Sequence, residues 1–442
     1  THMHNVRVET RRMGGGFGGK ESQGNALAVA CAIVAQRTGR ACKMRYDRDD
    51  DMVITGKRHD FRIDYDVGVD AGGHILALDV RQYVRCGWAM DLSLPVADRA
   101  MLHADNAYFL PNVRIESHRL KTNTQSATAF RGFGGPQGML GMERIIDHVA
   151  RDLKLAPMLV RQRNFYDAAD TPGARNTTPY GQTVTDFIGD KITAKLAKDA
   201  GYDARRAEIA AWNADQPILK KGLALTPVKF GISFTLTHLN QAGALVHVYQ
   251  DGSVHLNHGV TEMCQCLFQI VAQVAADRFG LPMSAIRITA TDTAKVPNTS
   301  ATAASSGSDL NGMAVRIACD TIRDRMAAHL AELHQCRVAQ VRFEDGMVHL
   351  PSETITFAQA AALTYQARIS LSATGFYKTP EISWDRIKGR GRPFFYYAYG
   401  AAMSEVVIDT LAGEYRILRT DIIHDAGASL NPALDTGQIE GG

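Results

Sequence analysis

The chain has 442 residues, and 49 Lys and Arg against 46 Asp and Glu leave a formal net charge of +3. A balance this close gives no electrostatic case for a nucleic-acid or membrane partner, and no apolar run reaches the ~18 residues a membrane helix needs. With 45% hydrophobic and 21% charged residues, the composition is that of a globular protein, long enough for two to four domains at about 100–200 residues each.

In chain order, Val6 to Arg11 reads as a strand with no signal-peptide pattern before it. The loop Met13-Gly14-Gly15-Gly16-Phe17-Gly18-Gly19-Lys20 follows, then an apolar helical run from about Glu21 to Thr38. From His59 to Arg85 apolar and polar residues alternate, and Asp70-Ala71-Gly72-Gly73 interrupts them as a hairpin turn. Helical patterns recur near 137–153 and 184–214, separated by the irregular stretch Pro157 to Gln182, which reads as a linker. Val246 to Leu256 predicts a second hairpin closed by Asp251-Gly252. A helix from about 264 to 279, a strand at 286–289, a long helix over about 309–334 and strands within 397–423 turning at Ala412-Gly413-Glu414 complete the pattern. Strands and helices mix without regular βαβ alternation, so the expected class is α+β, with mixed sheets and packed helices. Asn431 to Gly442 reads as the opening of a helix or loop, and both ends suggest a fragment.

The seven cysteines are odd in number and contain no Cys-x-x-Cys pair. They read as reduced thiols of a cytoplasmic protein and not as iron–sulfur ligands. Cys264 and Cys266 alone cannot fill a tetrahedral site, so no direct protein ligand to a metal is expected.

Three loops carry the chemistry. Glycines at 14–19 permit close backbone approach, and N–H groups at a following helix start suit an anion. Gly14, Gly16 and Gly19 also fit the dinucleotide pattern G-x-G-x-x-G, but the next segment is not a convincing βαβ unit. Ala129 to Pro136 sets Arg131 and two phenylalanines on glycine hinges: the arginine can hold an anion and Phe133 can face a flat ligand, or both rings can be core. The hydroxyl-rich loop Asn298 to Ser308 either caps the long helix or cradles a phosphate.

Taken together, these segments resemble the xanthine dehydrogenase/oxidase family of molybdenum hydroxylases. The resemblance rests on Arg12 to Glu21, Thr128 to Gln137, Lys229 to Thr235, Leu239 to Leu245, Val296-Pro297-Asn298, Leu430 to Ala433 and Gly437 to Gly441, in the family's order. It implies the molybdenum cofactor, a pterin-bound molybdenum (molybdopterin), and hydroxylation of a purine such as hypoxanthine or xanthine with oxygen from water. It further implies two cofactor-binding domains, 1–170 (incomplete at its N-terminus) and 171–442 (incomplete at its C-terminus). By resemblance, Phe17, Gly18 and Arg131 lie near the metal centre, Gln265 and Gln438 hold the pterin, and Ala303, Ala304 and Ser305 hold its phosphate end. Glu21 and Arg99 match the pair that orients the purine, Phe133 and Phe234 match the rings that stack on it, and Thr235 joins this substrate-binding set. 2Fe-2S clusters and FAD are expected on a partner chain or in missing regions, giving a hetero-oligomer. Three departures stand out: Cys264 and Cys266 replace glycines, an earlier pterin-binding glutamine segment is absent, and the family's catalytic-base glutamate falls beyond residue 442. The fragment is therefore expected to be inactive alone. Alternatives are an aldehyde or heteroaromatic hydroxylase, which would lack the Glu21 and Arg99 pair, and a catalytically incompetent assembly partner.

Overall fold

A computed structural model describes every residue except Ala169, Asp170, Pro172, Val296, Pro297 and Gly442. The expected boundary at 170/171, part of the linker Pro157 to Gln182 and the match Val296-Pro297-Asn298 fall partly outside the described residues. The fold is α+β, with strands and helices interleaved throughout. Two compact units emerge: one joins Thr1–Gly16, Leu236–Ile382 and Ala428–Gly442, and the other joins Phe17–Thr235 and Ser383–Gly427.

In the second of these units, Phe61–Val69 runs antiparallel to Ile75–Gly87, which lies parallel to Val113–Lys121. The turn forms where expected: Gly73 has φ 86°, and the His74 N–H donates to Asp70 Oδ1 at 2.9 Å. Period-two alternation buries Leu78, Val80, Gln82 and Val84. The helix Gly135–Asp152 buries Met142, Ile145, Ile146 and Val149 in the same core as Leu78 and Val80. A further sheet pairs Tyr396–Asp409 with Tyr415–His424 on one side and Leu219–Ile232 on the other. Leu219–Ile232 is thus an edge strand, which is why it tolerates Pro227.

The helical pattern at 184–214 resolves into Gly189–Asp199 and Tyr202–Asp215. They part at Gly201, whose left-handed φ of 68° ends the first helix. The helix expected from Glu21 starts at Asn25, and each of its residues to Thr38 keeps some solvent exposure. Charges are buried in matched sets: Arg161 donates to Glu143 and Asp147 at 2.9 Å, and Lys229 pairs with Asp105 at 3.2 Å.

The other unit is built on a sheet ordered Ser372–Lys378, Gln241–Val248, Val254–His258, Ile286–Ile288. Gly252, φ 79°, makes the hairpin turn. The helix Gly307–Leu333 lies against this sheet so closely that a Cβ on Gly375 would stand 1.9 Å from the Ala314 carbonyl oxygen. The strand expected over Val6 to Arg11 shrinks to Glu9–Thr10, paired with Thr291 and Asp292. Among the described residues no helix is long and apolar enough to cross a membrane, and no His, Cys, Asp and Glu cluster could hold a metal.

Candidate functional site

In the larger unit, two glycine-hinged loops meet. Phe17, Gly18 and Gly19 all take positive φ, at 58°, 102° and 82°. A Cβ on Gly18 would lie 2.6 Å from the Ala129 carbonyl oxygen, so only glycine permits this approach. The Arg131 N–H donates to the Phe17 carbonyl at 2.9 Å, lacing the loops together. Gly132 and Gly134, φ 91° and 96°, flank Phe133, itself at φ 53°. Phe17 and Arg131 are exposed and Phe133 is half-buried. Glu21 stands exposed in the turn before the helix.

Arg99 sits on the helix Ser93–Leu102, which the sequence patterns did not announce. It is buried, at 2% exposure, with its guanidinium over the rings of Phe230 and Phe394 at 5.2 and 5.3 Å. Nη1 donates to the Gly231 carbonyl at 2.9 Å and Nη2 to that of Ser233. Nε has no acceptor among the described residues. Burial pushes the guanidinium down to about 10. Among the described residues Arg99 and Glu21 share no hydrogen bond or ion pair. Phe234 and Thr235 continue from the edge strand that Arg99 grips.

That edge is sealed by side chains on and just beyond the same helix. Asn106 Nδ2 donates to the Pro227 carbonyl at 2.9 Å, and its Oδ1 accepts from the Lys229 N–H at 3.3 Å. His103 Nε2 accepts from the Gly231 N–H at 3.0 Å. Burial, reinforced by the positive charges of Arg99 and Lys229, holds His103 well below the usual histidine range. Sequence reasoning missed His103 and Asn106. For His103 the signal was its spacing of one helical turn from Arg99, which sets it at the C-cap just below that side chain.

In the smaller unit, Gln265 folds back on its own loop. Its Oε1 accepts from the Met263 N–H, and its Nε2 donates to the Thr261 carbonyl at 3.0 Å. Its neighbours Cys264 and Cys266 hold φ of 66° and 62°, a left-handed conformation that costs a side chain roughly 1–2 kcal/mol. Glu262 is buried, with Oε2 accepting from the Phe268 N–H at 2.8 Å and Oε1 without a partner among the described residues. Ala304 and Ser305 also take positive φ, 60° and 56°. They precede the helix Gly307–Leu333, whose N-cap Ser306 makes no side-chain capping bond, leaving first-turn N–H groups for an anion. Ala303 is half-buried beside them, and Gln438 is exposed on the helix Pro432–Gly441. Left-handed backbone at four non-glycine positions on these loops, free N–H groups at a helix start for a phosphate, and a buried carboxylate oxygen able to accept from an N–H donor suit a large polar cofactor.

Family models described as "Molybdopterin cofactor-binding domain" match residues 1–165 and 195–442. The chain belongs to this family. It is 44% identical over 99% of its length to xanthine dehydrogenase/oxidase of Mus musculus, and 45% over 99% to that of Gallus gallus. Xanthine dehydrogenase of Oryza sativa subsp. japonica is 44% identical over 99% of the chain. The chain spans only 30–31% of the length of these relatives. Among solved structures, quinoline 2-oxidoreductase from Pseudomonas putida 86 superposes with TM-score 0.83 at 24% identity, covering 99% of this chain and 56% of that one. The aldehyde oxidoreductase from Desulfovibrio desulfuricans gives TM-score 0.81 at 24% identity, covering 97% and 43%. Identity this low speaks for the fold alone.

Proposed function

We propose that this molybdopterin-binding chain is the cofactor-bearing portion of a purine hydroxylase that converts hypoxanthine or xanthine to urate with water-derived oxygen. The observation that carries the reading is 44–45% identity to xanthine dehydrogenases sustained along 99% of the chain. Two cofactor-binding domains, 1–170 and 171–442, divide the work. Phe17, Gly18 and Arg131 serve the metal end of the cofactor, Gln265 and Gln438 the pterin, and Ala303, Ala304 and Ser305 the phosphate. When bound, the cofactor supplies the two-electron redox chemistry of hydroxylation.

This chain's own residues orient the substrate. Phe133 and Phe234 stack on the flat ring, with Thr235 beside them. Glu21 and Arg99 address its nitrogen and oxygen rim, and the buried Nε of Arg99, without an acceptor among the described residues, is a donor for such a group. Electrons leave through iron–sulfur and flavin groups on a partner chain or another part of a longer protein.

The test is Arg99→Met in the full assembly. Xanthine turnover should fall far more than turnover of a simple aromatic aldehyde. Equal losses would overturn the purine assignment and favour an aldehyde or heteroaromatic hydroxylase.

A further inference from the structure

We propose that His103 is the positioning residue for Arg99, and so a determinant of purine selectivity that acts without touching substrate. The inference rests on the reading of Arg99 given above.

The geometry is a closed circuit. His103 Nδ1 lies 2.8 Å from the Arg99 carbonyl oxygen, and its Nε2 accepts the Gly231 N–H at 3.0 Å. The Gly231 carbonyl in turn accepts from Arg99 Nη1 at 2.9 Å. Backbone of Arg99, imidazole, strand and guanidinium thus form one hydrogen-bonded ring. Because Gly231 donates to Nε2, the imidazole proton sits on Nδ1 and points at Arg99. Both ring nitrogens are committed, so the imidazole is neutral: a second proton would displace the Gly231 N–H.

The location explains the choice of residue. Arg99 lies in the last turn of Ser93–Leu102, where carbonyls lack an i+4 partner. Gly231 lies on the open edge of the strand Leu219–Ile232, where alternate N–H groups lack a neighbouring strand. One imidazole satisfies an orphan of each kind. Its ring packs against Phe230 and Phe394, centroids 4.9 and 5.2 Å away. The same two rings flank the Arg99 guanidinium. The imidazole therefore fixes the helix turn and the strand segment that together aim the guanidinium.

The experiment uses the full assembly with His103→Ala, His103→Gln, Arg99→Met and the double variant His103→Ala/Arg99→Met. His103→Ala should lower kcat/KM for xanthine by roughly 10- to 100-fold, the scale of an ångström of misplacement, with a much smaller loss for an aromatic aldehyde. His103→Gln, which offers the Gly231 N–H an acceptor, should recover part of the loss and remains informative if the alanine variant folds poorly. The double variant should be no worse for xanthine than Arg99→Met alone. Hydrogen exchange of the peptide 228–235 should quicken in His103→Ala at unchanged molybdenum content. Multiplying losses in the double variant, or unchanged exchange at Gly231, would overturn the role of His103. Equal losses on both substrates in Arg99→Met would instead overturn the purine reading, a separable result.

Discussion

Replacing Gly138 with alanine tests how the Arg99 helix is seated. A Cβ at Gly138 would fall 2.2 Å from the Ala100 carbonyl oxygen and 3.1 Å from the carbonyl carbons of Ala100 and His103. Ordinary contact begins at 3.4 Å, so the helix Ser93–Leu102 must retreat by about 1 Å. The obstacles are backbone atoms, which cannot rotate away, and overpacking of this kind costs about 1–3 kcal/mol. Alanine in a helix interior returns about 0.5–1 kcal/mol of backbone entropy, so the net loss should be roughly 1–2 kcal/mol. At about 2–4 °C per kcal/mol for a body of this size, the unfolding midpoint should drop by roughly 2–8 °C. Gly141→Ala is the control within the same helix. Its Cβ would press on the Ile63 side chain, nearest at Cδ1, 2.7 Å, the movable tip, so its midpoint should hold or rise. Scanning calorimetry or circular dichroism melts of both variants decide the matter. Equal midpoints for the two variants would refute the claim that backbone approach, and not helix propensity, requires Gly138.

Restoring glycine at Cys264 and Cys266 should relieve the left-handed strain at φ 66° and 62°, worth roughly 1–2 kcal/mol each. A higher urea midpoint and greater molybdenum occupancy are expected, and no change in either would show that the cysteines are accommodated without cost. His258 is buried, and burial holds its imidazole at about 4 against an ordinary 6.5. Between those values the unfolded chain binds the extra proton, so stability should be full above about pH 6.5 and fall as pH drops toward 4. Urea titrations of the native protein and of His258→Gln from pH 7 to 5 should show the shallower slope in the variant; parallel slopes would remove His258 as the cause.

The hairpins at Asp70 to Gly73 and Asp251-Gly252 were legible because turn chemistry and period-two alternation are local signals. The long helix Gly307–Leu333 was legible for the same reason. Ser93–Leu102 was not: it has Pro95 in its first turn, and it buries Asp98 and Arg99 along with its apolar residues, so no polar face marks it as amphipathic. The strand Leu219–Ile232 was hidden by Lys229, Gly231 and Pro227 on its inward positions. Lys229 is buried there only because Asp105, more than a hundred residues earlier, neutralises it. The glycine loops announced a backbone cradle. That Arg99 would spend two donors on carbonyls could not be read from spacing, because those carbonyls lie in a strand and just past its end, 132 and 134 residues away.

The strand Leu219–Ile232 is closed along its outer side by Asn106, His103 and Arg99, and not by a neighbouring strand. A backbone ladder unzips cooperatively; this one is made of separate rungs, each encoded by its own codon. Its bonds run through side chains and can be changed by substitution while the sheet behind stays zipped to Tyr396–Asp409. Point substitutions between Arg99 and Asn106 can therefore re-aim the run toward Phe234 and Thr235 while the ladder behind it stays formed.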